Sequence, residues 1–307
     1  MSPADMQRSA DAWREDLDRL QALGMDLLIV SGPFVDEAKA AAPNTQSLEP
    51  MKGFFDEADR RGLRIFINTL SMQDWWTQTD AGPEIARAGE CIRNIARLYG
   101  ARKSFAGWYV PYELYMFWDK QADLIRTLYR DVSLLCKTAS NKPVMISPFF
   151  ILDRAHNLGN FRWAEPEEYQ AFWTGILKQS SIDIVALQDS GEHLSYYTME
   201  DRRPFFAAMK GACDAAGKSF WANIETGELD VKSPEEYVAR FGSKTHVNDP
   251  KLAAYWRGVP AAKLEEKLRF VSAFTSTAIT WGYQEFVRPS SRPDAKALYE
   301  SYLALGL

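Results

Sequence analysis

The sequence predicts an α/β protein of the (β/α)8 TIM-barrel type, and three observations carry the prediction. Short β-rich runs alternate with amphipathic helical stretches along the whole chain. Turns from helix to strand are tight (LGMD, RGLR, SNKP, SSID, AGKS), whereas the connections from strand to helix are long, at 71–82, 150–164, 190–199 and 227–259. No Gly/Ser linker, repeat or low-complexity segment interrupts the alternation, so residues 1–307 are expected to form a single domain. Long strand-to-helix loops place function at the carboxyl ends of the strands.

Strands are expected at about 26–31 (DLLIVS), 64–70 (RIFINTL), 105–113 (FAGWYVPYE), 143–149 (PVMISPF), 183–189 (DIVALQD), 219–225 (SFWANIE) and 278–286 (AITWGYQEF). Helices are expected at about 3–23, 47–61, 83–99, 118–138, 165–179, 200–216, 260–276 and 293–305. The chain therefore opens on a helix, with Ser2 as N-cap, Pro3 at its first position, Asp5 in its first turn and Met6, Trp13, Leu17 and Leu20 on one face. A closed barrel needs a strand before that helix. The barrel is thus read as lacking or truncated at its first strand, which lies upstream of Met1 or leaves an open seam. As written the chain is expected in the cytoplasm, and in the periplasm or outside the cell if a signal peptide precedes it. Segment 227–259 carries its own helix signal, with Ser233 as N-cap, Pro234 at N1 and Glu236 at N3, and reads as an ordered, lid-like insertion.

Hydrophobic residues make up 46% and charged residues 25% of the chain, an ordinary globular composition. With a net charge of −5 and its basic residues scattered among acids, the chain has no stripe to follow a phosphate backbone, and nucleic acid is not an expected partner. No apolar run approaches the ~20 residues of a membrane span. Cys91, Cys136 and Cys213 are far apart and read as small buried thiols; His156, His193 and His246 are isolated, so no metal site is expected. The aromatic content, 13% with ten tryptophans, stands out. Planar rings at strand ends suit stacking on the apolar faces of sugars, although any one tryptophan can equally fill the core.

Counting the absent first strand, GWYVPYELY is barrel strand four and places Glu113 at its carboxyl end, where Pro111 limits further pairing. FWANIE is strand seven. Alternation sends Trp221, Asn223 and Glu225 to one face and the apolar Phe220, Ala222 and Ile224 to the other, against the helices. Glu225 is therefore expected in the barrel mouth, above Asn223. Two carboxylates on strands four and seven match the needs of glycosidic hydrolysis, one protonated to donate to the leaving oxygen and one ionised to attack or to activate water.

Rival barrel chemistries lack their residues. No strand holds the histidines of a metal-dependent hydrolase or the lysine of a Schiff-base aldolase, and no glycine-rich phosphate cradle follows strands seven and eight. Neutral glycans are the simplest remaining ligand, and no cofactor is expected.

Acid/base on strand four and nucleophile on strand seven resembles the clan A, or 4/7, glycoside hydrolases. More closely, GWYVPYELY, DIVALQDSGE and FWANIET resemble a bacterial family of uncharacterised, glycosidase-like TIM-barrel domains, from residue 5 to the C-terminus. The resemblance implies a retaining mechanism in which Glu113 is the acid/base and Glu225 the nucleophile. The chain departs from the clan pattern at Tyr112, where an asparagine usually precedes the acid/base glutamate.

Further sugar contacts are expected from Asn68 on strand three, Tyr109 and Tyr112 on strand four, Gln188 and Asp189 on strand six, Trp221 and Asn223 on strand seven, and Trp281, Tyr283 and Glu285 on strand eight. Trp75 and Trp76 would extend an aromatic platform begun by Trp281. Structural alternatives stand beside these: loop capping for Asp189 and Glu192, and a salt bridge to Arg288 or a neighbouring arginine for Glu285. The leading expectation is a glycosidase acting on an oligo- or polysaccharide. Its rivals are a non-catalytic glycan-binding barrel, favoured by Tyr112, and a subunit of a polysaccharide assembly or export system.

Overall fold

The computed structural model describes residues 9–30, 48–71, 75–154, 156, 162–191, 195–242 and 250–307. Its strands are β1 (Leu27–Val30), β2 (Arg64–Asn68), β3 (Phe105–Tyr109), β4 (Val144–Ile146), β5 (Ile184–Gln188), β6 (Ser219–Asn223), β7 (Gly227–Leu229), β8 (Trp256–Gly258) and β9 (Ala278–Ile279). Its helices are α1 (Ala10–Ala22), α2 (Leu48–Arg61), α3 (Gly82–Tyr99), α4 (Asp119–Ser140), α5 (Pro166–Gln179), α6 (Met199–Ala216), α7 (Pro234–Phe241), α8 (Ala261–Val271) and α9 (Ala295–Leu303). Seven strands form one sheet in the order β1-β2-β3-β4-β5-β6-β9. The pairings β1–β2, β2–β3, β3–β4 and β6–β9 are parallel. Sequential order, parallel pairing and a helix after nearly every strand make this an α/β fold of the TIM-barrel type.

All seven expected strands are present, each in its expected window. Several boundaries move: β3 stops at Tyr109, four residues before Glu113 rather than at it, and α8 stops at Val271 rather than 276; two further shifts have identifiable reasons. The first helix begins at Ala10, capped by Ser9, whose hydroxyl accepts from Ala12 N at 3.2 Å; Ser2, Pro3, Asp5 and Met6 lie outside the described residues. Trp13, Leu17 and Leu20 are buried, as the helical spacing requires. The last strand stops at Ile279 rather than continuing to 286. Gly282, at φ 92, turns the backbone where a side chain would meet Thr226 Oγ1 at 3.0 Å, and Tyr283–Val287 then form a π-helical turn closed by Arg288 N donating to Tyr283 O at 2.7 Å.

The long 227–259 segment holds an antiparallel pair that alternation did not announce, β7 with β8, aligning Glu228 with Arg257. Between them α7 starts where the cap signal placed it, with Ser233 Oγ accepting from Glu236 N at 3.1 Å. Residues 243–249, with His246, lie outside the described set.

The chain divides into two compact units: Met1–Tyr112, Phe117–Ile146 and Ile176–Ile184 form the first, and Glu113–Met116, Ser147–Gly175 and Val185–Leu307 the second. In the first, Trp13 meets Phe54 edge-on at 5.1 Å, Phe55 stacks on Tyr99 at 4.4 Å, and Glu57 on α2 holds Arg14 of α1 at 3.0 Å. The second packs Phe150 flat on Phe205 at 4.9 Å and sets Phe206 edge-on to Phe220 and Phe270. All three cysteines are buried thiols; burial pushes Cys91 and Cys213 up to about 12. Among the described residues no helix is long and apolar enough to cross a membrane.

Candidate active site

Both glutamates singled out by the sequence belong to the second unit. Backbone hydrogen bonds hold the segments around them: Phe149 N donates to Leu114 O (3.0 Å), Gln188 N to Pro148 O (2.9 Å), Asp189 N to Asn223 O (3.0 Å) and Ile224 N to Ile279 O (2.8 Å). These bonds link the segments at and just beyond the carboxyl ends of β3, β4, β5, β6 and β9. Glu113 stands one residue before Leu114 and Glu225 one residue beyond Ile224. Glu113 is exposed, whereas Glu225 is only 1% exposed.

A buried carboxylate needs compensating charge. Lys267 of α8, itself 1% exposed, donates from Nζ to the Glu225 carbonyl at 2.8 Å and pairs with the Asp189 carboxylate at 2.8 Å. Arg202 of α6 is also buried and donates to the carbonyls of Asp189 (2.6 Å), Tyr197 (2.6 Å) and Thr198 (2.8 Å), tying the loop after β5 to its helix. Burial pulls the Arg202 guanidinium below its ordinary value, opposed by the charges of Asp189, Glu225, Asp201 and Glu228. Burial would raise the Asp189 carboxyl, but Lys267 and Arg202 outweigh it and hold Asp189 low. One layer on, Glu228 of β7 is fully buried between Lys263 and Arg257, with Arg257 Nη2 at 3.0 Å.

Below Glu225, Asn223 Nδ2 donates to Ser147 Oγ at 2.9 Å, Ser147 Oγ donates to Ala186 O at 2.7 Å, and Gln188 Nε2 donates to Ser147 O at 2.8 Å. Gln188 and Asn223 thus both bond to Ser147. Trp221 is half-buried on its strand. Trp281, also half-buried, meets Trp256 of β8 at 6.3 Å and Phe286 at 6.1 Å, both edge-on, and forms an aromatic cluster with the insertion.

Other expected contacts have different partners. Tyr112 is fully buried, donates its hydroxyl to the buried Glu84 at 2.9 Å, and packs on Trp75 at 5.0 Å. Trp75 is likewise in the core of the first unit rather than on an open platform; the Trp76 side chain lies outside the described residues. Asn68 Oδ1 accepts from Leu70 N at 2.6 Å, closing an Asx turn that supports Leu70 at φ 62. Tyr109 and Tyr283 are buried. Asp189 accepts from Gly191 N at 3.0 Å besides pairing with Lys267, so its capping role is filled. Glu285 is exposed on the π-turn, and Arg288 donates to Gln284 at 3.4 Å. Glu192 and His193 lie outside the described residues.

Four charged residues of this region escaped the sequence reading: Arg202, Lys267, Glu228 and Asp153. A signal existed for two of them. Arg202 shares a helical stripe with Met199, Phe205, Phe206 and Met209, and Lys267 with Leu264, Phe270 and Val271. A cation on an apolar stripe requires a buried acid. Asp153, after β4, is buried and raises the hydroxyls of Tyr196 and Tyr197, in each of which burial is the larger cause.

No curated protein sequence matches the chain. Similar solved structures include a candidate α-L-fucosidase from Bacteroides thetaiotaomicron VPI-5482, with TM-score 0.72 at 20% identity over 96% of this chain and 88% of that one. An intracellular xylanase from Thermoanaerobacterium saccharolyticum follows with TM-score 0.54 and 12% identity over 92% and 83%. Endo-glycoceramidase II from Rhodococcus sp. has TM-score 0.55 and 9% identity over 96% and 74%. At these identities the likeness is one of fold, a fold shared with glycoside hydrolases. The family described as a domain of unknown function (DUF4434) matches residues 2–297, and the chain belongs to it.

Proposed function

We propose that the protein is a glycoside hydrolase acting on a neutral oligo- or polysaccharide, with Glu225 as nucleophile and Glu113 as general acid/base. The observation that carries the reading is the contrast between the two glutamates that follow β3 and β6. Glu225 is buried, interacts electrostatically with Arg202 and has its backbone carbonyl held by Lys267, whereas Glu113 is open to solvent, able to exchange a proton each cycle. The glycosidase structures of the same fold support the same class of reaction.

In the first step a Glu225 carboxylate oxygen bonds to the anomeric carbon as the glycosidic C–O bond breaks, and the Glu113 proton passes to the leaving oxygen. In the second, water attacks the anomeric carbon, Glu113 takes its proton, and the ester bond to Glu225 breaks with the electron pair returning to the carboxylate. The half-buried Trp281 offers a ring face for the sugar, and no cofactor is required.

A panel of 4-nitrophenyl glycosides in the fuco, xylo, gluco and galacto configurations tests the proposal. At least one is hydrolysed by the wild type, and Glu225→Gln lowers that rate by about a thousandfold or more. One observation favours a second reading, a glycan-binding barrel without turnover: Tyr112 is buried on Glu84, so no amide precedes Glu113 to hold a sugar hydroxyl. Saccharide binding without hydrolysis of any glycoside would decide for that reading.

A further inference from the structure

Lys267 is the meeting point of three segments. It rises from α8, its Nζ lies 2.8 Å from the Asp189 carboxylate after β5, and the same nitrogen donates at 2.8 Å to the carbonyl of Glu225 after β6. Asp189 and Lys267 are 0% and 1% exposed, so the pair lies in a low-dielectric setting where a unit charge acts strongly on its neighbours. The approach is tight enough to restrict the chain: a Cβ on Gly191 would sit 2.7 Å from Lys267 Nζ and 3.0 Å from Asp189 Oδ1.

A buried ion pair in a core could be replaced by apolar side chains with no loss of stability, so its presence calls for a role that apolar groups lack. Here the cation touches the backbone of the residue assigned as nucleophile. We infer that Lys267, held by Asp189, is a positioning residue that fixes Glu225 at the strand end and keeps its carboxylate ionised. The inference rests on the glycosidase reading for its purpose but not for its test. Asp189 restrains Lys267 in two ways, by geometry and by partly neutralising its field. Arg202 of α6 also acts on Glu225, and it is itself acted on by Asp201 of α6 and Glu228 of β7, while Lys263 of α8 interacts with Glu228, Lys267 and Arg202. Those stay in place in the variants below.

The two partners must therefore act on Glu225 with opposite signs. Losing the cation in Lys267→Met raises the titration of Glu225; losing the anion in Asp189→Asn lowers it. The Asp189→Asn, Lys267→Met double variant lies between, and Lys267→Arg stays close to wild type. Protein enriched with 13C at the glutamate carboxyls reports this directly by NMR, with Glu225 assigned from its missing signal in Glu225→Gln. The expected displacement for Lys267→Met is about one pH unit or more upward. Where turnover of a 4-nitrophenyl glycoside is measurable, the acidic limb of kcat/KM moves with it, while KM changes less than kcat.

A pair that only stabilises the fold would lower Tm in both single variants and leave the Glu225 titration in place, and that result overturns the inference. If Lys267→Met does not fold, Asp189→Asn and the double variant still decide the sign. If the opposite shifts appear but the wild type hydrolyses no glycoside, the positioning role stands and the proposed function falls.

Discussion

The Tyr112 hydroxyl donates to the buried Glu84 carboxylate at 2.9 Å, and this contact keeps the residue beside Glu113 inside the protein core. Burial, then the charge of Glu84, raises the Tyr112 hydroxyl well above its ordinary value, so it stays protonated and a donor. Tyr112→Phe removes a hydrogen bond to a charged acceptor and is expected to cost about 1.5–3 kcal/mol in urea unfolding, with little change in activity. A large fall in kcat/KM at unchanged stability would return Tyr112 to the sugar site.

The two tryptophans proposed as one platform separate in the same way. Trp75, buried against Tyr112, is expected to cost roughly 3–5 kcal/mol on truncation to alanine without altering saccharide affinity. Trp281, half-buried against Trp256 and Phe286, is expected to lose less stability and to weaken binding of a saccharide measured by calorimetry. The reverse pattern would exchange their roles.

The fold was legible because its strands and helices announce themselves by period. The apolar set Phe220, Ala222 and Ile224 is buried as strand alternation required, and the Ser233-Pro234 cap placed α7. The last strand was misjudged in length because Trp281, Tyr283 and Glu285 mimic alternation, while one left-handed glycine, Gly282, converts them into a π-turn. The β7–β8 pair was missed because three-residue strands carry too few residues to show a period.

In the candidate site, Glu225 follows β6 by two residues and Glu113 follows β3 by four, close to where strand reading put them, but the distribution of partners was not legible. Asn68 and Asp189 look like ligand-binding residues in sequence, yet local backbone and Lys267 take their oxygens. Periodicity records which face a residue is on and not which neighbour reaches it first from another helix.

Outside the site, Glu57 gives a test of the helix packing. The Arg60 hydrogen bond, working against burial and aided by Arg14 and Arg61, lowers its carboxyl to about 2. A depressed carboxyl stabilises the fold above its ordinary value of 4.5, and that contribution fades as pH falls toward about 2. Glu57→Gln should therefore lower Tm near neutral pH, with the gap to wild type narrowing below about pH 4.5. A gap that does not change between about pH 7 and pH 3 would contradict the assignment.

Glu113 and Glu225 should fail differently when replaced. Glu113→Ala is expected to slow substrates with poor leaving groups by about a hundredfold to ten-thousandfold, and activated aryl glycosides far less, because a good leaving group needs no proton. Glu225→Ala is expected to stop turnover of both, with azide restoring product of inverted configuration. Equal losses on both substrate types in the two variants would contradict the division of roles.

The most direct measurement is mass spectrometry of the protein incubated with 2-deoxy-2-fluoro-glycosyl 2,4-dinitrophenyl compounds of the configuration hydrolysed in the panel. The fluorine slows release of the covalent intermediate, so the account predicts one fluoroglycosyl group esterified to the peptide carrying Glu225 and none in Glu225→Gln. A label on any other residue, or sustained turnover with no label at all, would contradict it.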